Sequence, residues 1–215
     1  MTTTYDQDPT KVAEHLRDDE VHVWRLAYQH QEGREPFQAL LGCYLGLSPA
    51  EVQLELGEFG KPRLSSVHVG DLHFNWSHSI DQALFAVARG IEPGVDLEKL
   101  RPRPRAMAIA DRYFSPDEAQ VLAAVPESER DAVFLQLWTA KEAVLKATGR
   151  GLAFGLHRLS IEWGHRHLAL RLLEGEDVAE WQLHRLPLDD GHVASLAWRG
   201  EPRVIEMRAL APLAQ

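Results

Sequence analysis

Period-two alternation and helical apolar stripes divide most of the chain into strands and helices. Val21-His-Val-Trp-Arg-Leu26 alternates as a half-buried strand does, and residues 36–47 follow as a short apolar helix. Ser48-Pro49-Ala-Glu51 has capping-box spacing and opens at most a turn or two of helix before Val52-Gln-Leu-Glu-Leu56 resumes alternation. Gly57 and Gly60 break the chain, and the runs Leu72-His-Phe-Asn-Trp-Ser-His-Ser79 and Ala83-Leu-Phe-Ala-Val-Ala88 then read as strands, the second continuous enough to be buried. The first half therefore reads β-α-β-β-β.

A turn across Gly90 and Gly94 leads into Gly94-Val-Asp-Leu-Glu98, where Val95 and Leu97 face one way and Asp96 and Glu98 the other. Pro102 and Pro104 stop this strand inside Arg101-Pro-Arg-Pro-Arg105, an extended basic segment. A short helix is expected from Ala106 to Tyr113. Ser115-Pro-Asp-Glu118 opens another with an N-cap serine, a proline at the first helical position and a capping-box glutamate. A longer helix follows from about Glu127 to Thr148, ended by Gly149 and Gly151. Four further alternating segments, up to Val193-Ala-Ser-Leu-Ala-Trp198, predict a mainly antiparallel closing sheet. Both halves share the order strand, helix, strands. The expected fold is α+β, with two similar lobes, each an antiparallel-rich sheet packed with helices: residues 1–91, and residues 92–215, which carry the candidate site motifs. No Gly/Ser-rich linker separates them, so one integrated unit is expected.

Composition narrows the class. At 215 residues, with 45% hydrophobic and 26% charged residues, the chain has the balance of a soluble globular protein. The single Cys43 rules out an internal disulfide and a cysteine metal cluster. The start MTTTYDQDPT lacks a basic segment followed by an apolar run, and no stretch approaches the ~18 continuous apolar residues of a membrane span. A cytoplasmic protein with no membrane partner is the expectation. The net charge of −9 argues against general nucleic-acid binding, which needs basic surface.

The candidate chemistry centres on Trp138-Thr-Ala-Lys-Glu-Ala-Val-Leu-Lys146, where charges interrupt an apolar-periodic helix. Phe134, Leu137, Trp138, Val144 and Leu145 cover a core stripe, while Glu142 and Lys146 stand one turn apart and share a rim. Taken alone, that pair reads first as an exposed Glu-Lys pair contributing about 0.3–0.5 kcal/mol. Asp96 and Glu98 supply further carboxylates, and Lys61 and the Ser77-His78 dipeptide supply donors. Three carboxylates without a His or Cys cluster suit a hard octahedral Mg²⁺ that takes its other ligands from water and phosphate. Each feature also has a plain reading: a solvated strand face, a surface lysine, a turn histidine. His165 and His167 read as exposed, and the capping role of Glu118 accounts for it, with a catalytic role left open as the alternative.

Together and in this order, Gly60-Lys-Pro62, Phe74-Asn-Trp-Ser-His-Ser79, Gly94-Val-Asp-Leu-Glu98 and Trp138-Thr-Ala-Lys-Glu142 running on to Lys146 and Gly149-Arg-Gly151 resemble the Sfp-type 4′-phosphopantetheinyl transferases. The likeness covers roughly residues 57–157. It implies a pseudo-dimer of two α+β lobes with the active site between them, and an enzyme that moves the 4′-phosphopantetheine arm of coenzyme A to a serine of an apo acyl or peptidyl carrier protein, releasing 3′,5′-ADP. Carried over by position, Asp96, Glu98 and Glu142 are the implied ligands of Mg²⁺, with Mn²⁺ also admitted. Lys146 is the implied neutraliser of the pyrophosphate, and Lys61, Ser77 and His78 are contacts to the 3′-phosphate and pyrophosphate. Glu142 is the first choice of general base and Glu98 the second.

One departure lies early. The family's longer basic helical segment before the first long helix is reduced here to residues 28–35, leaving Arg34 as the nearby cation, with Pro36 restricting the helix it should sit on. A protein of this fold that binds coenzyme A, a nucleotide or a carrier without turnover is the alternative, and a scaffold whose charges are only surface is a third. A monomer is expected, and secondary metabolite biosynthesis is the setting the family implies.

Overall fold

The computed structural model describes residues 4–6, 8–68, 70–164, 167–188 and 191–210. His165 lies outside the described residues. The chain divides into two compact units, Met1–Pro93 with Pro202–Gln215, and Gly94–Glu201.

In the first unit a five-stranded sheet runs in the order β1-β12-β2-β6-β5, where β1 is Thr4–Asp6, β2 Glu20–Ala27, β5 Leu72–Ser79, β6 Gln82–Arg89 and β12 Val204–Leu210. A short hairpin of β3 (Leu54–Leu56) and β4 (Pro62–Leu64) stands apart from it. Helix α1 (Pro9–Ala13) precedes β2, and α2 (Glu35–Leu45) lays Phe37, Leu40 and Leu41 onto Trp24, Phe74 and Phe85. Phe37 stacks on Trp76 with ring centroids 4.6 Å apart. Pro36 falls in the first turn of α2, where a missing amide costs nothing, so it starts this helix instead of restricting it. Gly46 closes α2 in the left-handed conformation, at φ 67°.

The last strand departs from the expected extents. Residues 92–215 were expected in one lobe, yet β12 pairs in parallel with both β1 and β2, opposing Ile205 to Val21 and Met207 to Val23. Long-range pairing chooses a strand's sheet, and alternation in sequence carries no information about the partner. The consequence falls on β2, which becomes central and is buried on both faces, not half-buried. His22, with 2% exposure, is therefore interior: its Nδ1 lies 2.9 Å from Tyr44 Oη, which also accepts Trp24 Nε1–H at 2.7 Å.

In the second unit, α5 (Glu127–Thr148) packs on a three-stranded antiparallel sheet, β10-β11-β7, made of Trp181–Leu186, His192–Arg199 and Gly94–Lys99. A second hairpin joins β8 (Leu159–Trp163) to β9 (Leu168–Leu173). Helices α3 (Ala106–Tyr113) and α4 (Pro116–Ala124) cover the other side of α5, with Phe114 stacked on Phe134 at 5.6 Å. The helix bounds follow their signals: the Ser115 capping box forms, and Gly149 closes α5 at φ 71°. Each unit is α+β. Among the described residues no helix is long and apolar enough to cross a membrane.

Candidate active site

Gly94 sets the geometry of the second unit's charged cluster. A Cβ built there would lie 2.0 Å from Ala143 O and 2.4 Å from Ala147 N, so strand β7 touches the backbone of α5 at a point where only glycine opposite alanines fits. Two residues further along β7, Asp96 is consequently brought beside α5. It is buried at 6% exposure, and Lys146 Nζ donates to its Oδ1 at 2.7 Å and to Val95 O at 3.1 Å. The lysine's ion pair thus forms across the strand-helix contact to Asp96. On the same register, Asp96 opposes Ser195, whose hydroxyl is 3.1 Å from the buried Thr139 Oγ1 of α5. This bond and the Gly94 contact fix one stripe of α5 against two strands of the sheet, β11 and β7.

Glu142, one turn before Lys146, is half-buried. Burial, then the charge of Asp96, and less strongly that of Glu98, hold its carboxyl up at about 7, with Lys146 opposing. Glu98 receives Arg103 Nη2–H at 2.6 Å. The predicted cluster of Asp96, Glu98, Glu142 and Lys146 is therefore one electrostatic unit, balanced by two side-chain cations and, below about pH 7, a proton.

Lys141 was quoted above only as part of a motif, and it has a different task. At 0% exposure its Nζ pairs with Glu118 Oε2 at 2.7 Å and donates to Leu156 O at 2.9 Å and Leu159 O at 2.6 Å. Burial pushes its ammonium down from the usual lysine value, and Glu118 opposes this. Glu118 caps α4 through the Ser115 amide at 2.7 Å and accepts the Ile161 amide at 2.8 Å. The pair ties α5, α4 and β8 together.

The remaining predicted residues belong to the first unit. Lys61 precedes β4, and its Nζ donates to Glu92 Oε2 at 2.6 Å. Ser77 and His78 lie near the end of β5, just before its final residue Ser79; Ser77 is buried, while His78 is exposed with its ring 4.8 Å from Tyr28 and 5.7 Å from His30. Arg34 is exposed at the start of α2. Sequence reasoning missed five partners: Asp96 for Lys146, Glu118 for Lys141, Ser195 for Thr139, Arg103 for Glu98 and Glu92 for Lys61. Lys141 alone carried a signal, its place on the apolar stripe of α5.

Among the described residues no group of three or more His, Cys, Asp or Glu side chains is disposed to hold a metal ion. The donor chemistry nonetheless suits one. Asp96, Glu98 and Glu142 offer only hard carboxylate oxygens, and the Glu142 carboxyl is raised first by burial and then by the charges of Asp96 and Glu98, a repulsion that a hard dication would relieve. Lys146 and Arg103 are the cations that such an ion would meet on Asp96 and Glu98.

Comparison with known proteins places this geometry in context. The profile of the 4′-phosphopantetheinyl transferase superfamily matches residues 92–197. The 4′-phosphopantetheinyl transferase HetI of Nostoc sp. is 32% identical over 218 residues, covering 86% of this chain and 90% of the relative. The 4′-phosphopantetheinyl transferase Sfp of Bacillus subtilis is 34% identical over 116 residues, covering 54% of this chain and 49% of Sfp. Among solved structures, the holo-[acyl-carrier-protein] synthase of Thermotoga maritima is matched over 51% of this chain and 62% of its own, at 18% identity and a TM-score of 0.40.

Proposed function

Because the chain belongs to the 4′-phosphopantetheinyl transferase superfamily, we propose that it transfers the 4′-phosphopantetheine arm of coenzyme A to a serine of an apo acyl or peptidyl carrier protein. The serine oxygen bonds to the phosphorus that carries pantetheine, the bond from that phosphorus to the leaving oxygen breaks, and 3′,5′-ADP departs. The observation that carries this reading is the cluster on β7 and α5, where Gly94 brings Asp96 to Lys146 and into electrostatic reach of Glu142.

Three tasks follow for the chain's own residues. Lys146, already oriented by Asp96 and Val95 O, faces the charge that grows on the departing pyrophosphate oxygen. Glu142 is the first choice to accept the serine proton, with Glu98 the second; its value of about 7 is that of the metal-free site, and a bound dication would lower it. Lys61, Ser77 and His78 are assigned to the phosphates of coenzyme A by the positions they share with the family's motifs, and Arg34 only as the nearby cation left in the shortened segment of residues 28–35. Asp96, Glu98 and Glu142 would hold Mg²⁺ or Mn²⁺, which when bound supplies positive charge opposite the pyrophosphate. The same reading carries a cytoplasmic monomer that acts without nucleic acid or membrane, a pseudo-dimeric plan for the two α+β units, and secondary metabolism as its setting.

The test is incubation with coenzyme A, Mg²⁺ and a panel of apo carrier proteins, followed by intact-mass measurement of the carriers. Gain of one phosphopantetheine arm, dependent on the divalent ion, is the expected result. Saturable binding of coenzyme A with no carrier gaining mass would favour a non-catalytic binding protein instead.

A further inference from the structure

The motif reading leaves unexplained how Lys61 is held. This lysine is only 15% exposed, although nothing in its sequence context requires burial. Its ammonium donates to Glu92 Oε2 at 2.6 Å and, more weakly, to Pro93 O at 3.5 Å. The other oxygen of the same carboxylate, Oε1, stands 2.9 Å from His73 Nδ1 on β5. Glu92 is thus anchored at both oxygens, one to the sheet through His73 and one to Lys61. Burial works to raise the Glu92 carboxyl, but the His73 hydrogen bond and the Lys61 charge overcome it and hold the group at about 2, so it is a carboxylate throughout the physiological range.

We propose that Glu92 is a positioning residue for Lys61: it immobilises the ammonium beside the turn at Pro93, so that the lysine's remaining N–H capacity is aimed before an anionic substrate arrives. The proposal rests on the reading of Lys61 as a contact to a phosphate of coenzyme A. Its physical content is pre-organisation. A lysine side chain is among the most expensive to order, and when the fold has already ordered it, binding does not have to. An ammonium has three N–H bonds, so one strong bond to Glu92 and a long one to Pro93 leave capacity for a phosphate oxygen. The opposite possibility is that Glu92 competes with the phosphate and weakens binding through its charge. The two differ in sign, and a pair of variants separates them. Glu92→Gln keeps an acceptor for Lys61 and removes the charge, whereas Glu92→Ala removes both.

The experiment measures KM for coenzyme A and kcat in the carrier assay for Glu92→Ala, Glu92→Gln, Lys61→Met and the double variant Lys61→Met/Glu92→Ala, each first checked for a native far-ultraviolet spectrum. Positioning predicts that Glu92→Ala raises KM for coenzyme A by about 2–10-fold with little change in kcat, the cost of re-ordering one long side chain. Glu92→Gln should stay near the parent, and in the Lys61→Met background Glu92→Ala should add nothing, because the effect passes through the lysine. A KM that is unchanged or lower in Glu92→Ala, or an undiminished effect of Glu92→Ala without Lys61, overturns the proposal. If Lys61→Met itself leaves KM unchanged, the reading of Lys61 as a phosphate contact fails, and the proposal falls with it. If Lys61→Met raises KM while Glu92→Ala does not, only the proposal fails.

Discussion

Replacing Glu142 with Gln should make the metal-free protein more stable at alkaline pH and leave it nearly unchanged at pH 4.5. In the fold this carboxyl is raised from 4.5 to about 7, first by burial and then by Asp96. An acid whose folded value lies above its unfolded value contributes its full stability below the unfolded value and loses it as pH rises through the folded one. The window is therefore about pH 4.5 to 7. The interval is ~2.5 pH units at ~1.36 kcal/mol each, which after allowance for partial exposure gives a cost of about 2–3 kcal/mol to holding Glu142 ionised at pH 8. The amide has nothing to ionise and escapes that cost. Urea unfolding of both proteins in chelator, at pH 5, 6.5 and 8, measures the difference directly, and comparing variant with parent cancels the titrating groups that do not interact with Glu142. The gap should open from under ~1 kcal/mol at pH 5 to ~2 kcal/mol or more at pH 8, and added Mg²⁺ should stabilise the parent at pH 8 more than the variant. Parallel stability profiles across this range would show that Glu142 is not held in a buried site beside Asp96.

Gly94→Ala should be severely destabilising, by more than ~3 kcal/mol or to the point of insolubility, because its Cβ would meet helix backbone at 2.0 Å and 2.4 Å; a urea midpoint within error of the parent would contradict the close strand-helix contact. Lys141→Met strands the buried Glu118 carboxylate and should cost roughly 3–5 kcal/mol, whereas Lys141→Met with Glu118→Leu should recover part of that loss; calorimetry of the three proteins decides, and an additive double variant would refute the pairing. Lys146→Ala should lower kcat more than it raises KM for coenzyme A, and an effect on KM alone would make the lysine a uniform binding contact. Arg101 and Arg105 are exposed beyond β7, whereas Arg103 is committed to Glu98, so Arg101→Glu with Arg105→Glu is the clean test of a basic docking segment for acidic carriers. KM for carrier should rise severalfold and lose salt dependence while KM for coenzyme A holds; an unchanged carrier KM at low salt would place docking elsewhere.

What could be read from sequence was whatever local rules govern. The bounds of α3 and α5 follow from their stop signals, and Asp96 and Glu98 share a face because a strand repeats every two residues. Glu142 and Lys146 fall on one rim for the corresponding helical reason. Choices among distant partners were not legible. Nothing in Val204–Leu210 announces that it will pair with β1 and β2, and that single choice turns β2 into a central strand with His22 inside it. The ion pair of Lys146 follows the same logic: the helix offered Glu142 one turn away, but the missing side chain at Gly94 drew Asp96 in to 2.7 Å. Lys141 is the instructive case between these extremes. Its place four residues after Leu137 put it on the core stripe, where an ammonium survives only with a partner. The capping-box reading of Glu118 appeared complete, yet it accounts for only one of the demands on that carboxylate: Oε2 meets both the Ser115 amide and Lys141, and Oε1 takes the Ile161 amide. A buried acid that serves as a cap still has acceptor capacity to spare, and here that capacity neutralises the lysine of the neighbouring helix.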